Sequence, residues 1–271
     1  MTIALTSPPA AARAAIPAGN STLLRMVTMN IHKGLATGNR RATVHLLRER
    51  LRALHPDLVF AQEVQEEHSR HKKRFAHWPE AEMSHYLAAD FWSDRHYGRN
   101  AVYDHGHHGN AILSRHPVLG GDNHDISEYR FESRGLLHAE IRLPQLKQPL
   151  HCFCIHLALL QKGRTRQLEA IVAHVSRLVP IGAPVILAGD FNDWRKRASL
   201  PLERAGFSEV FETLTGRPAL TFPSQMPVLP LDRIYVRNLT VKSARVLRDW
   251  AKLSDHLGLW AELEIQSPDA P

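Results

Sequence analysis

Cysteine is nearly missing from this chain: two residues, Cys152 and Cys154, among 271. Two thiols cannot build a disulfide framework, and two positions apart on one extended segment they are badly placed to bridge each other. That excludes a secreted disulfide scaffold and fits a reducing compartment. A cytoplasmic protein is expected, with a peripheral place at a membrane left open. No stretch approaches the roughly 18 consecutive apolar residues of a transmembrane helix. From Leu23 onward there is no internal repeat and no Gly/Ser/Pro linker, which argues for one large domain. Acidic residues are in deficit, 27 against 34 basic ones, for a net charge of +7. This balance suits an anionic partner such as nucleic acid, a phospholipid headgroup or a phosphorylated small molecule, without choosing among them. Eighteen histidines would add positive charge near pH 6.

Residues 1–22 are rich in Ala, Pro, Ser and Thr and carry a single charge, Arg13. They have no core-forming pattern and are expected to be a disordered tail. The domain is expected over residues 23–266, with 267–271 as a second short tail. Within it, strand-like segments alternate with helices. Leu24–Ile31, Asp57–Gln62, Asn110–Ser114, Leu136–Leu143 and Leu150–Leu157 are expected as strands, as are Pro184–Ala188, Leu231–Val236 and Leu257–Ile265. Arg41–Leu54 and Arg164–Leu178 carry apolar residues at helical spacing. Many strands with few helices predict two packed sheets flanked by helices.

Several buried-looking strands end abruptly in an acid, an amide or a histidine. Asn30 follows MVTM, Glu63 ends LVFAQ, His156 ends CFCI, Asp190 and Asn192 close VILAGDFN, and Asp255 and His256 precede LGLWAEL. Functional groups at the ends of rigid strands are a recurrent way to build a site. Asp190 and Asn192 would share a face by strand period, or simply close the strand with an Asx turn. Asp232 lies between Leu231 and Ile234 in a strand-like run. A buried carboxylate needs a partner, and His256 is the expected one, with Arg233 as the ordinary ion-pair alternative. Should Glu63, Asp190, Asp232 and Asp255 converge, the like charges need a cation or protonation. Oxygen donors favour Mg²⁺ or Mn²⁺ over zinc. A zinc site from Cys152, Cys154 and His156 is disfavoured, because same-face strand neighbours stand roughly 7 Å apart.

The ordered set TMNIHKG (28–34), AQEVQ (61–65), GNAILSR (109–115), CIHL (154–157), AGDFND (188–193), LDRIYV (231–236) and SDH (254–256) resembles the endonuclease/exonuclease/phosphatase superfamily, the DNase I-like group, over nearly the whole chain. MNIHKG and the stretch 97–115 look most like a bacterial subgroup without an assigned substrate. The resemblance implies an α/β fold, a four-layer sandwich of two mainly antiparallel sheets flanked by helices, with the site at one end. It implies a divalent-metal-dependent hydrolase of phosphate esters, most simply a phosphodiesterase. A nuclease on DNA or RNA and a phospholipid or small phosphate-ester hydrolase are the alternatives. Carried over by motif, Glu63 is the main metal ligand, assisted by Asn30 and Asp255. Asp190 orients or deprotonates water, and Asn192 holds a phosphate oxygen. His156 contacts the phosphate or acts as an acid. His256, oriented by Asp232, donates to the phosphate or moves a proton. Asn110 and Arg134 match rim positions near the phosphate. After SDH, Leu257–Gly258 stands where the family commonly has Pro. His32, Lys33 and Arg40 stay unassigned, and a metal role for His105, His107 and His108 is disfavoured. The basic run His68–Trp78 and Arg195–Arg197 are either solvated surface or contacts for an anion.

Overall fold

The computed structural model describes residues 21–75 and 77–266. One sheet runs in the order β11-β12-β1-β2-β4-β3 and a second in the order β5-β6-β7-β8-β10-β9. The first comprises β1 (Ser21–Asn30), β2 (Leu58–His68), β3 (Asp94–Tyr103), β4 (Gly106–Ser114), β11 (Thr240–Val246) and β12 (Leu259–Gln266). The second comprises β5 (Val118–Asp125), β6 (Gly135–Ile141), β7 (Leu150–His156), β8 (Val185–Asp190), β9 (Ser208–Glu209) and β10 (Asp232–Arg237). Pairing is antiparallel except for β1 with β2 and β7 with β8.

Alternation along each central strand produces the layers. In β8, Ile186 and Ala188 face the other sheet, while Val185 and Leu187 face outward under a helix. In β2, Leu58 and Phe60 point inward, and Val59 and Ala61 point out. The inner faces meet in one core that includes Met26, Phe60, Ile112, Cys152, Cys154 and Ile234. Both cysteines are buried and unpaired. Helices α1 (Val44–Leu54), α2 (Ser69–Arg74) and α3 (Met83–Ala88) belong to the first half of the chain, and Leu47, Leu51 and Leu87 of α1 and α3 pack on the first sheet's outer face. Helix α4 (Gln161–Leu178) covers the second sheet through Leu168, Ile171 and Val175, joined by Leu202 of α5 (Ser199–Arg204). Helix α6 (Val210–Thr215) follows β9, and its Val210 and Phe211 extend the inner core. This is the expected helix–sheet–sheet–helix sandwich.

Strand β1 begins at Ser21, where Ser21 and Thr22 pair with Gln266 and Ile265. Ser21 and Thr22, the last two residues of the segment expected as a tail, are therefore part of a strand. Residues 1–20 and the expected tail 267–271 lie outside the described residues. Trp78 is buried and Phe75 packs against it, so the aromatic members of the basic run 68–78 serve the core, while Lys73 and Arg74 are exposed. No helix among the described residues is long and apolar enough to cross a membrane.

Candidate active site

Strand direction brings the polar strand ends together. The parallel pair β1 and β2 sets Asn30 beside Gln62, and the parallel pair β7 and β8 sets His156 beside Asp190. Strand β10 runs against β8, so its first residue, Asp232, also stands opposite Asp190. Strand β12 runs against β1, which leaves the preceding Ser254–His256 turn at the same end. Ser254 fastens that turn: its Oγ donates to Asn30 O at 2.8 Å and accepts from His256 N–H at 3.2 Å.

Asp190 is the meeting point. Its Oδ1 accepts from Asn192 N–H at 2.9 Å, an Asx turn that closes β8. Its Oδ2 accepts from Asn30 Nδ2 at 3.2 Å and lies 3.5 Å from His156 Nε2 and 3.8 Å from His256 Nε2. His256 Nδ1 in turn lies 2.8 Å from Asp232 Oδ2. Arg233 turns elsewhere, donating to Pro230 O and Asp193 O, so Asp232 has the imidazole as its partner. Burial pushes the Asp190 carboxyl up, with the Asp232 charge adding to the rise and the His256 charge opposing it. Burial disfavours the His256 cation, but the carboxylates of Asp232, Asp190 and Asp255 outweigh it and raise the group to about 10. His156 goes the other way. Burial, and then the charges of Arg134 and His256, hold it well below the usual histidine range. At neutral pH the site therefore holds one imidazolium and one neutral imidazole, both beside the same carboxylate.

Glu63 has φ +54° in the middle of β2, at a bulge where the pairing with β4 slips between Ala61 and Val64. The bulge re-aims its side chain into the cleft, a costly backbone state that recurs at functional positions. Glu63 Oε1 accepts from Asn30 Nδ2 at 3.3 Å. Asn30 Oδ1 accepts from His32 N–H, so Asn30 shows the carboxylates its N–H, and serving as an oxygen ligand requires its amide to turn. Asp255 Oδ1 lies 3.4 Å from His32 Nδ1 and is not among the side chains lining the cleft. Glu63, Asn30 and Asp255 with the adjoining Asp190 offer oxygen only, a donor set that fits a hard divalent cation. Ligand atoms of Asp190, Asp232 and His256 also fall within 4.8 Å of one another. There Asp232 and His256 are already committed to each other, an arrangement for handling a proton.

The cleft is open, about 580 Å³, and is lined by Asn30, Glu63, Arg134, His156, Asp190, Asn192 and His256. Arg134 sits 3.2 Å from Glu132. Asn192 lines the cleft while its Nδ2 donates to Leu157 O at 2.9 Å. Asn110 departs from the expectation of a phosphate contact. It is 1% exposed, and its Nδ2 donates to Gly135 O and Cys154 O, tying β4 to β6 and β7 across the two sheets. Removing the amide deletes both hydrogen bonds between the sheets, at roughly 0.5–1.5 kcal/mol each. Asn110→Ala is accordingly expected to lower the melting temperature by several degrees. A variant with unchanged melting temperature and a raised KM would return Asn110 to the phosphate.

Lys33, His108, Phe131, Trp194, Phe222 and Leu229 also wall the cleft; sequence reading left Lys33 unassigned, disfavoured a metal role for His108 and did not name Phe131 or Trp194. Lys33 and His108 occur inside the quoted motifs, so a signal for them existed. Phe131 and Trp194 sit on loops, where no periodicity marks a wall.

The Endonuclease/Exonuclease/phosphatase family matches residues 27–256 of the chain. The uncharacterized protein YbhP of Escherichia coli is 45% identical over 244 residues, covering 89% of this chain and 96% of YbhP. A humanized TDP2 from D. rerio superposes with a TM-score of 0.67 at 22% identity, over 89% of this chain and 98% of that one. The mannosyl-6-phosphatase Bt3783 of Bacteroides thetaiotaomicron superposes at 0.66 with 17% identity, over 89% and 99%. These two likenesses concern the fold. The family match carries the assignment: the chain belongs to the endonuclease/exonuclease/phosphatase family of phosphoester hydrolases.

Proposed function

We propose that the protein is a divalent-metal-dependent phosphodiesterase that hydrolyses its substrate by in-line attack of water. The observation that carries this reading is the convergence of Asn30, His156 and His256 on Asp190, with Asp232 behind His256 and Glu63 in front. Such a set supplies a proton acceptor and an oriented proton donor around one point. Asp190 accepts a proton from the attacking water, its basicity raised by burial. Protonated His256, held in one tautomer by Asp232, donates to a phosphoryl oxygen or to the leaving group. His156, neutral, and Asn192 at the cleft wall steady the phosphate, and Arg134 adds a positive charge. A Mg²⁺ or Mn²⁺ ion held by Glu63, with Asn30 and Asp255 directly or through water, would neutralise charge developing on the phosphoryl oxygens.

The walls support a diester with a flat or apolar group beside its phosphate. Phe131 is 75% exposed and Trp194 43%. The Trp194 ring lies against the guanidinium of Arg164, which is itself buried and anchored on Ala158 O and Gln161 Oε1. Nucleic acid and phospholipid both fit that description, and the buried unpaired thiols suit a reducing compartment. The test is a hydrolysis panel of single-stranded DNA, RNA, phospholipid vesicles and a sugar phosphate monoester in Mg²⁺, with Asp190→Asn as the control. Turnover of a diester by wild type, and at least about a hundredfold less by the variant, is expected. Turnover confined to the monoester, or equal in both proteins, overturns the reading.

A further inference from the structure

Away from the cleft, the outer face of the second sheet gathers a different set of side chains. In antiparallel register Glu140 stands opposite His151, and His138 stands opposite Phe153. His138 and Glu140 share one face of β6 by strand period, next to His151 on β7. His138 and His151 are each 2% exposed, and Glu140 is partly exposed. His138 Nε2 lies 3.0 Å from His151 Nδ1, and one ligand atom from each of His138, Glu140 and His151 falls within 4.8 Å of the others. His151 is five strand residues before His156, so this cluster is roughly 17 Å from the catalytic end.

We propose that His138, His151 and Glu140 form a second metal site, for a divalent transition metal of the zinc class, separate from the catalytic cation. Two imidazoles and a carboxylate are the donors that borderline cations take and Mg²⁺ does not favour. Adjacent ligands on tetrahedral zinc stand roughly 3.3 Å apart. The 3.0 Å pair, hydrogen-bonded in rings only 3° from parallel, thus has to open by a few tenths of an ångström, give up the proton between the two nitrogens and turn both toward one point. The outer face also carries the support that zinc histidines use. Asp122 Oδ1 lies 3.4 Å from His138 Nδ1, so a carboxylate can fix the ring whose other nitrogen meets the metal. The same Asp122 faces His174 on α4 at 4.0 Å, and His174 stacks on His124 at 4.7 Å. Phe153, opposite on the same face, stacks against the His138 ring at 4.5 Å, and Glu140 is partly exposed.

The experiment is a Zn²⁺ titration of the full chain, with bound zinc counted after dialysis in millimolar Mg²⁺. It is run on wild type, on His256→Ala, which takes the imidazole out of the other candidate group of ligand atoms, Asp190–Asp232–His256, and on Glu140→Gln and His151→Asn in that background. Asn preserves an amide facing His138, and Glu140 is partly exposed, so at least one of the two variants keeps the fold; circular dichroism verifies this. His256→Ala is expected to keep about one zinc per chain in spite of Mg²⁺. His151→Asn is expected to weaken binding by about a hundredfold or more, and Glu140→Gln by about tenfold. Absence of retained zinc in His256→Ala overturns the proposal. So does displacement by Mg²⁺, or parent-like affinity in whichever of the two variants is folded.

Discussion

His256→Ala is expected to lower kcat by about two to four orders of magnitude, the range for a positioned acid or base. The expectation rests on the 2.8 Å contact to Asp232 and on the 3.8 Å approach to Asp190. Asp232→Asn should lower kcat as well, because the carboxylate fixes the imidazole's tautomer and supports its protonated form. Asp232 is fully buried, and asparagine preserves its shape, so the fold should persist. Since the two residues act as one unit, the double variant should be little slower than the slower single variant. Multiplied losses in the double variant would mean that the two act independently. The pH profile supplies a second readout. Activity should fall on the acid side as Asp190 takes up a proton, at a pH above the ordinary carboxylate range because its folded pKa is raised. It should hold on the alkaline side until His256 loses its proton near pH 10. In Asp232→Asn the alkaline limit should move to lower pH, because the largest charge favouring the imidazolium is gone.

Glu63→Gln is expected to reduce kcat by about a hundredfold or more at fixed Mg²⁺, with part of the loss recovered at higher metal concentration. The carboxylate sits at the bulge of β2 in a left-handed conformation, φ +54°. A left-handed non-glycine residue costs about 1–3 kcal/mol and persists only where the surroundings impose it. Glu63→Gly relieves that cost, so it should be as inactive as Glu63→Gln while melting no lower than wild type. Metal-dependence curves and melting temperatures for the two variants check this. A Glu63→Gly protein that melts far below wild type would show that the side chain supports the fold rather than the chemistry.

The central strands and the motif-bearing strand ends were legible in the sequence for one reason. Strands buried on both faces read as unbroken apolar runs, so a polar residue at their end stands out. LVFAQE, CFCIH and VILAGD are such runs, and Glu63, His156 and Asp190 end them. The strands that were not legible are the edges of the two sheets: β3, β5, β9 and β11. An edge strand such as VLGGDNHD is mostly exposed and has no apolar run to announce it. The left-handed backbone of Glu63 is a product of pairing between β2 and β4, which local sequence does not encode. Asn110 stands in a family motif, yet its amide is spent between the sheets, a contact between residues 25 and 44 positions apart. His138 and His151 were hidden by their neighbours. In LLHAEI and LHCFC each reads as a tolerated polar residue in a core strand, and only the β6–β7 register brings them together.

The most direct measurement is the rate of phosphodiester hydrolysis by wild-type protein before chelation, after exhaustive removal of divalent ions, and after Mg²⁺ or Mn²⁺ is restored. Loss of turnover on chelation and its return with either ion is the predicted result, because in the proposed mechanism the carboxylates of Glu63 and Asp190 would face a phosphate with a hard cation between them. Undiminished turnover in the metal-free protein would contradict it.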